Sequence, residues 1–103
     1  MGQMNLEVLH IDDCPNWEEA GRRLQDALAA TGHGDVEVGY RLLRTPADAA
    51  VTAFAGSPTI TVNGVDLFPS DGRTSDLACR VYLTPTGLAG IPTVEQLAEA
   101  LST

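Results

Sequence analysis

Residues 6–19 read LEVLHIDDCPNWEE and join a short apolar run to the start of a helical pattern. The apolar run Leu6–Ile11 stops at two aspartates, which is typical of a buried strand. From Pro15 onward the apolar residues recur at helical spacing, and Gly32 ends the pattern. Cys14 therefore stands where a strand gives way to the first helix.

The rest of the chain carries further strand and helix signals, each bounded by residues that favour caps or turns. In chain order they are a strand at 36–42, a short helix from Thr45-Pro46 to Ala55, a strand at 59–62, an Asn63-Gly64 turn, a returning strand at 65–68, and a last helix behind a Thr93/Gln96 capping box.

This order predicts one α/β domain over residues 1–103, with a mixed sheet of about four strands and helices on both faces. The first two strands form a parallel unit across the first helix, and the Asn-Gly hairpin adds antiparallel strands. Residues 69–92 read as an irregular insertion between the hairpin and the last helix, with a short strand at 80–83.

The composition restricts the partners. The 103 residues carry a formal net charge of −8, which repels nucleic acid phosphates and anionic lipid headgroups, so we expect neither partner. No apolar run approaches the roughly 20 residues that cross a bilayer. The start, Met1–Asn5, has no Lys or Arg, which argues against a signal peptide and favours the cytoplasm. The sequence leaves the oligomeric state undetermined.

Two cysteines, Cys14 and Cys79, are too few for a secreted disulfide scaffold. A cysteine at a helix start faces free backbone N–H groups, which favour the thiolate, whereas Asp12 and Asp13 oppose it. Cys79 is a partner for Cys14 only if the fold brings the two Cα atoms within about 7 Å. Arg73 and Arg80 nearby would then help to hold a thiolate.

Two tetrapeptides carry a family resemblance: Cys14-Pro15-Asn16-Trp17, and Gly56-Ser57-Pro58-Thr59 before the hairpin. With the order of elements, they make the chain similar to small members of the thioredoxin-like superfamily, some labelled thioredoxin family or alkylmercury lyase. The resemblance implies a minimal, glutaredoxin-sized fold and a cis Pro58. It also implies that Ser57 offers its backbone to an extended substrate beside the Cys14 thiol.

The candidate substrate surface comprises Pro15, Trp17, Ser57 and Pro58, and the catalytic candidates are Cys14 and Cys79. The helical spacing of Trp17 favours packing on the inner face of the helix over a role as a substrate platform. Trp17 stands where a dithiol enzyme has its second cysteine, so a protein disulfide reductase of the ordinary type is not expected. The sequence has no phosphate-binding glycine loop and no zinc-ligand spacing, so no cofactor is expected.

The leading hypothesis is thiol–disulfide chemistry at Cys14. Either Cys79 is the partner of Cys14, or the protein acts as a monothiol through Cys14 and uses a small external thiol. The partner would be a protein or a small-molecule thiol or disulfide. One alternative is a non-catalytic binding domain that uses the Trp17–Pro58 surface. Another is binding of a soft metal or organomercurial by both thiols, because paired thiolates select soft ions.

Overall fold

The structure is a computed structural model that describes residues 5–12, 14–68 and 79–102. Its elements follow in the order β1 Leu6–His10, α1 Trp17–Ala30, β2 Val38–Leu42, α2 Pro46–Ala50, β3 Thr59–Val62, β4 Val65–Asp66, β5 Tyr82–Thr84, β6 Gly87–Ala89 and α3 Val94–Leu101. Among the residues described, no helix has the length and apolar character that a membrane span requires.

One mixed sheet holds four of the strands, in the order β2-β1-β3-β4. β1 runs parallel to β2 and antiparallel to β3, and the register pairs Val8 with Tyr40 on one side and with Ile60 on the other. β3 and β4 form the predicted hairpin, in which Asn63 and Gly64 both have positive φ, as an Asn-Gly turn requires. The predicted fold class, a minimal thioredoxin-like α/β fold with a sheet of about four strands, is confirmed.

The two faces of the sheet bury different clusters because strand side chains alternate between faces. On one face α1 and α3 cover β1 and β3, and the cluster there includes Leu6, Val8, Leu24, Ile60 and Leu97. On the other face α2 and the turn after it cover a smaller cluster, composed of Leu9, Ile11, Cys14, Leu43, Ala49 and Phe54. The candidate site lies at the end of β1, beside this smaller cluster.

Two helices begin or end inside their predicted limits. α1 begins at Trp17 with Asn16 as its N-cap, so Pro15 precedes the helix. α2 has the predicted cap, because the Thr45 hydroxyl accepts from the Asp48 N–H, but it ends at Ala50 and not at Ala55. Val51 and Thr52, which follow Ala50, are β-branched and lower the helix propensity. The Thr52 hydroxyl donates to the Ala49 carbonyl, and this local bond competes with continuation of the helix.

Residues 79–92 are the described part of the segment predicted to be irregular. They contain β5 and β6, which pair antiparallel with Leu83 opposite Leu88 and form a separate two-stranded sheet. β6 begins directly after the connecting turn with Gly87 at a φ of 115°, which favours glycine. This part of the segment is therefore more regular than the sequence pattern indicates, and the remainder lies outside the described residues.

The capping box of α3 gives a first testable prediction. The Thr93 hydroxyl accepts from the Gln96 N–H, and the Gln96 side chain accepts from the Thr93 N–H. Thr93→Ala should lower the free energy of unfolding by about 1 kcal/mol, because one N-terminal N–H group loses its partner. Urea denaturation measures the change, and Thr93→Ser is the control because it keeps the hydroxyl. Equal losses in the two variants would contradict the capping role.

Candidate functional site

The fold joins the two cysteines. Cys14, in the turn between β1 and α1, forms a disulfide with Cys79, which precedes β5. They are separated by 65 positions in the sequence, and their Cα atoms lie 5.9 Å apart, within the range that a disulfide requires. The sequence alone left this approach open, and it is the central feature of the site.

The two sulfur-bearing residues have very different exposure. Cys14 has an exposed fraction of 0% and belongs to the apolar cluster that includes Phe54 and Ala49. Cys79 is exposed. Any approach of solvent or a dissolved molecule to the disulfide is therefore from the Cys79 side.

The position of Cys14 relative to α1 differs from the sequence-based expectation. Asn16 occupies the N-cap position without a side-chain capping bond, so Cys14 lies two residues before that position. The Cys14 N–H donates to the Ile11 carbonyl in the preceding turn. In the reduced chain, burial among apolar side chains would disfavour a negative charge on its sulfur. The chain bends into the core before the helix begins, so the thiol is not presented at the helix tip. Asp12 is exposed, and Asp13 lies outside the described residues.

Ser57 lies between the two cysteine-bearing segments and bonds to both. Its buried hydroxyl accepts from the Ile11 N–H at 3.1 Å, at the end of β1. Its carbonyl accepts from the Arg80 N–H at 2.8 Å, next to Cys79. Ser57 and Cys79 form an isolated parallel bridge. The Ser57–Pro58 peptide bond is cis, as predicted, and Pro58 is fully buried.

Arg80 attaches residues 79–82, the Cys79 segment, to the hairpin. Its guanidinium donates to the Asp66 carboxylate at 2.8 Å and to the Phe68 carbonyl at 2.6 Å. Both side chains of the ion pair are largely buried, with exposed fractions of 7% for Arg80 and 12% for Asp66. The guanidinium also lies 4.5 Å from the centre of the Tyr82 ring. Arg80 was expected to support a thiolate, but its partner is this carboxylate. Arg73, the other arginine expected there, lies outside the described residues.

Tyr82 makes a further contact with the Ser57–Pro58 turn. Its phenol donates a hydrogen bond to the Pro58 carbonyl, and its ring packs edge-on against Phe68. Burial raises the pKa of the Tyr82 phenol far above its ordinary value, with a smaller opposing effect from Arg80. The hydroxyl therefore keeps its proton and remains a donor across the physiological range.

The remaining predicted site residues lie elsewhere. Pro15 is exposed in the turn before α1. Trp17 is partly buried against the α1–α3 cluster, stacked on His10 with ring centres 4.5 Å apart and edge-on to Tyr40. Trp17 thus packs on the α1 side of the sheet, whereas Pro58 is enclosed. The structure brings together Cys14, Cys79 and Ser57, and it uses Trp17 for packing.

The His10–Trp17 stack gives a prediction on pH. Burial lowers the pKa of His10, outweighing the Ile11 backbone and the Asp12 charge, which raise it. The His10 Nδ1 atom has no hydrogen-bond partner within the described ranges. The folded chain therefore takes up a proton less readily than the unfolded chain, whose histidine pKa is about 6.5.

Stability from this group is fully present above about pH 6.5 and is lost as pH falls through the lower folded pKa. The free energy of unfolding should decrease between pH 7.5 and 5, and His10→Phe should flatten that part of the profile. Trp17 is the only tryptophan, so its fluorescence reports both unfolding and protonation of the stacked ring. His33→Gln is the matched control. If His33→Gln flattens the pH dependence of the free energy of unfolding and His10→Phe does not, the assignment to His10 is wrong.

Comparison with protein-family models, with curated proteins and with solved structures finds no match to this chain. The site is therefore interpreted from its own geometry. Sequence reasoning missed Asp66 and Tyr82, which hold the Cys79 segment in place. No local pattern identifies them, because Asp66 is 14 positions from Arg80 and Tyr82 is 24 positions from Pro58.

Proposed function

We propose that this chain is a cytoplasmic thiol–disulfide redox protein of the thioredoxin-like superfamily that works through a reversible Cys14–Cys79 bond. The observation that carries the proposal is the approach of the two Cα atoms to 5.9 Å despite 65 positions between them in the sequence. Both segments are fixed by bonds to the same residue, Ser57. The pair is thus held in bonding range by contacts other than the disulfide.

The proposed chemistry is a two-electron exchange. A thiolate attacks one sulfur of the Cys14–Cys79 bond, that bond breaks, and a mixed disulfide forms while the other sulfur leaves as a thiolate. A second thiol attacks the mixed disulfide. The external thiols end as a disulfide, and the protein ends with two thiols and their two protons. In the reverse direction, the protein dithiol reduces an external disulfide.

Cys79 supplies the second thiol that the Cys-Pro-Asn-Trp motif lacks. Trp17 stands three positions after Cys14 and packs against His10, so the motif offers no second sulfur there. A second cysteine from outside the motif completes a dithiol equally well, because either thiol of a pair in bonding range can release a mixed disulfide held on the other, whatever their spacing in the sequence. This favours a dithiol over a monothiol mechanism.

A redox titration tests the function. The chain is equilibrated with mixtures of reduced and oxidised glutathione, the thiols are trapped by alkylation, and intact mass gives the oxidised fraction. We expect a reversible two-electron transition with the mass of an intramolecular disulfide, two hydrogen atoms lighter than the dithiol. Cys14→Ser and Cys79→Ser should both abolish this species and leave only a glutathione adduct on the remaining cysteine. A disulfide with a potential below about −300 mV would instead be a permanent structural bond, and the proposed function would be wrong.

A further inference from the structure

The backbone around Ser57 and Pro58 already has partners from the same chain. The Ser57 carbonyl accepts from the Arg80 N–H, and the Pro58 carbonyl accepts from the Tyr82 phenol. Ser57 also forms a parallel bridge with Cys79. The Cys79 segment therefore lies where an extended peptide would pair with Ser57.

The Cys79 segment is held from several directions besides the disulfide. The buried Arg80 guanidinium bonds Asp66 and the Phe68 carbonyl. The backbone of Gly56 lies so close to Arg80 that an added Cβ would be 2.9 Å from its Cα atom. Gly56 also has a φ of 111°, which a side chain would strain. Because these contacts do not involve sulfur, we expect them to remain when the disulfide is reduced.

We propose that Cys79, and not Cys14, is the sulfur that exchanges with external thiols, and that these are small molecules and not extended polypeptides. This inference rests on the proposed function. Attack on a disulfide requires access to the attacked sulfur, and Cys79 is exposed whereas Cys14 has an exposed fraction of 0%. Cys14 is then the internal partner. Its sulfur is the leaving group on reduction, and on oxidation it attacks the Cys79 mixed disulfide and forms the Cys14–Cys79 bond again.

The reaction sequence follows from this assignment. A small thiolate attacks the Cys79 sulfur, a bond forms between the two, and the Cys14–Cys79 bond breaks with Cys14 leaving as a thiolate that takes a proton. A second small thiolate attacks the small-molecule sulfur of the mixed disulfide. Cys79 then leaves as a thiolate and is protonated, and the two small thiols are released as their disulfide.

The substrate class follows from the occupied turn. An extended peptide binds beside a strand through main-chain hydrogen bonds, and these need free acceptors. The Ser57 and Pro58 carbonyls each have an intramolecular donor, so a peptide would first have to displace Arg80 and Tyr82. A small thiol needs no such pairing and requires access only to the Cys79 sulfur.

A trapping experiment on the unmodified protein tests the attacked position. The oxidised chain is mixed briefly with limiting glutathione, remaining thiols are blocked with N-ethylmaleimide at low pH, and the adducts are mapped by peptide mass spectrometry. We expect glutathione on Cys79 and the maleimide on Cys14. Glutathione mainly on Cys14 would overturn the inference while leaving the proposed function intact.

Two variants provide an independent measurement. Each variant is mixed with glutathione disulfide, and the rate of mixed-disulfide formation at its remaining cysteine is measured. The rate at Cys79 in Cys14→Ser should be about tenfold or more above the rate at Cys14 in Cys79→Ser, because glutathione disulfide reaches an exposed cysteine more readily than a buried one. Equal rates, or the opposite order, would overturn the assignment. If the disulfide of the native chain resists reduction altogether, the proposed function fails instead, so the two failures are distinct.

The substrate class is tested by comparing two reductants of similar thiol chemistry. One is free N-acetylcysteine amide, and the other is an extended ten-residue peptide with a central cysteine. We expect the small thiol to reduce the native disulfide about tenfold faster or more, because it needs no displacement of the Cys79 segment. A peptide that reacts as fast or faster would overturn the small-molecule assignment.

Discussion

Cys79→Ser is expected to lower the free energy of unfolding by about 4 kcal/mol, because the lost cross-link closes a loop of 65 positions in the unfolded chain. Cys79 is exposed, so its replacement removes the cross-link and creates no cavity. Guanidinium denaturation under oxidising conditions measures the change. The reduced native chain should lose a similar amount.

The matched variant is Cys14→Ser, which removes the same bond but also puts a hydroxyl into the apolar cluster around Phe54. It should be less stable than Cys79→Ser, since a buried hydroxyl without a partner costs about 1–3 kcal/mol more. Neither variant should respond to reductant. Oxidised and reduced native protein with the same denaturation midpoint would show that the cross-link contributes nothing.

Arg80→Met is expected to destabilise the chain by about 3 kcal/mol, because it leaves the largely buried Asp66 carboxylate without its cation. The Phe68 carbonyl loses a donor as well. Urea denaturation gives the free energy of unfolding at neutral pH. Arg41→Met is the control, since Arg41 pairs with Glu7 at the surface, with an exposed fraction of 51%, and such pairs contribute about 1 kcal/mol or less.

A double-mutant cycle separates the ion pair from other effects of Arg80. Asp66→Asn keeps the oxygen that accepts from the Phe68 N–H but removes the charge. The double variant Arg80→Met with Asp66→Asn should be more stable than the sum of the two single losses predicts, because no charge is left unpaired. Additive losses would mean that the pair has no special role in holding the Cys79 segment.

The local signals in the sequence were reliable where the interacting residues are close together in the chain. The Asn63-Gly64 turn, the Thr45 cap and the Thr93/Gln96 capping box each depend on residues up to three positions apart, and all three are present. Helix ends were less well predicted. α2 stops five residues early because β-branched residues after Ala50 favour a turn.

The sequence by itself determined the α/β architecture, the cysteine in the turn before the first helix and the turn before the hairpin. Periodicity and caps encode these features locally. Only the tertiary structure decided that Cys79 reaches Cys14, that Cys14 is buried, and that Arg80 and Tyr82 occupy the Ser57–Pro58 turn. The Cys14–Cys79 pair is 65 positions apart and the Tyr82–Pro58 pair is 24 positions apart. Such contacts form only once packing has brought the segments together, so no local pattern records them.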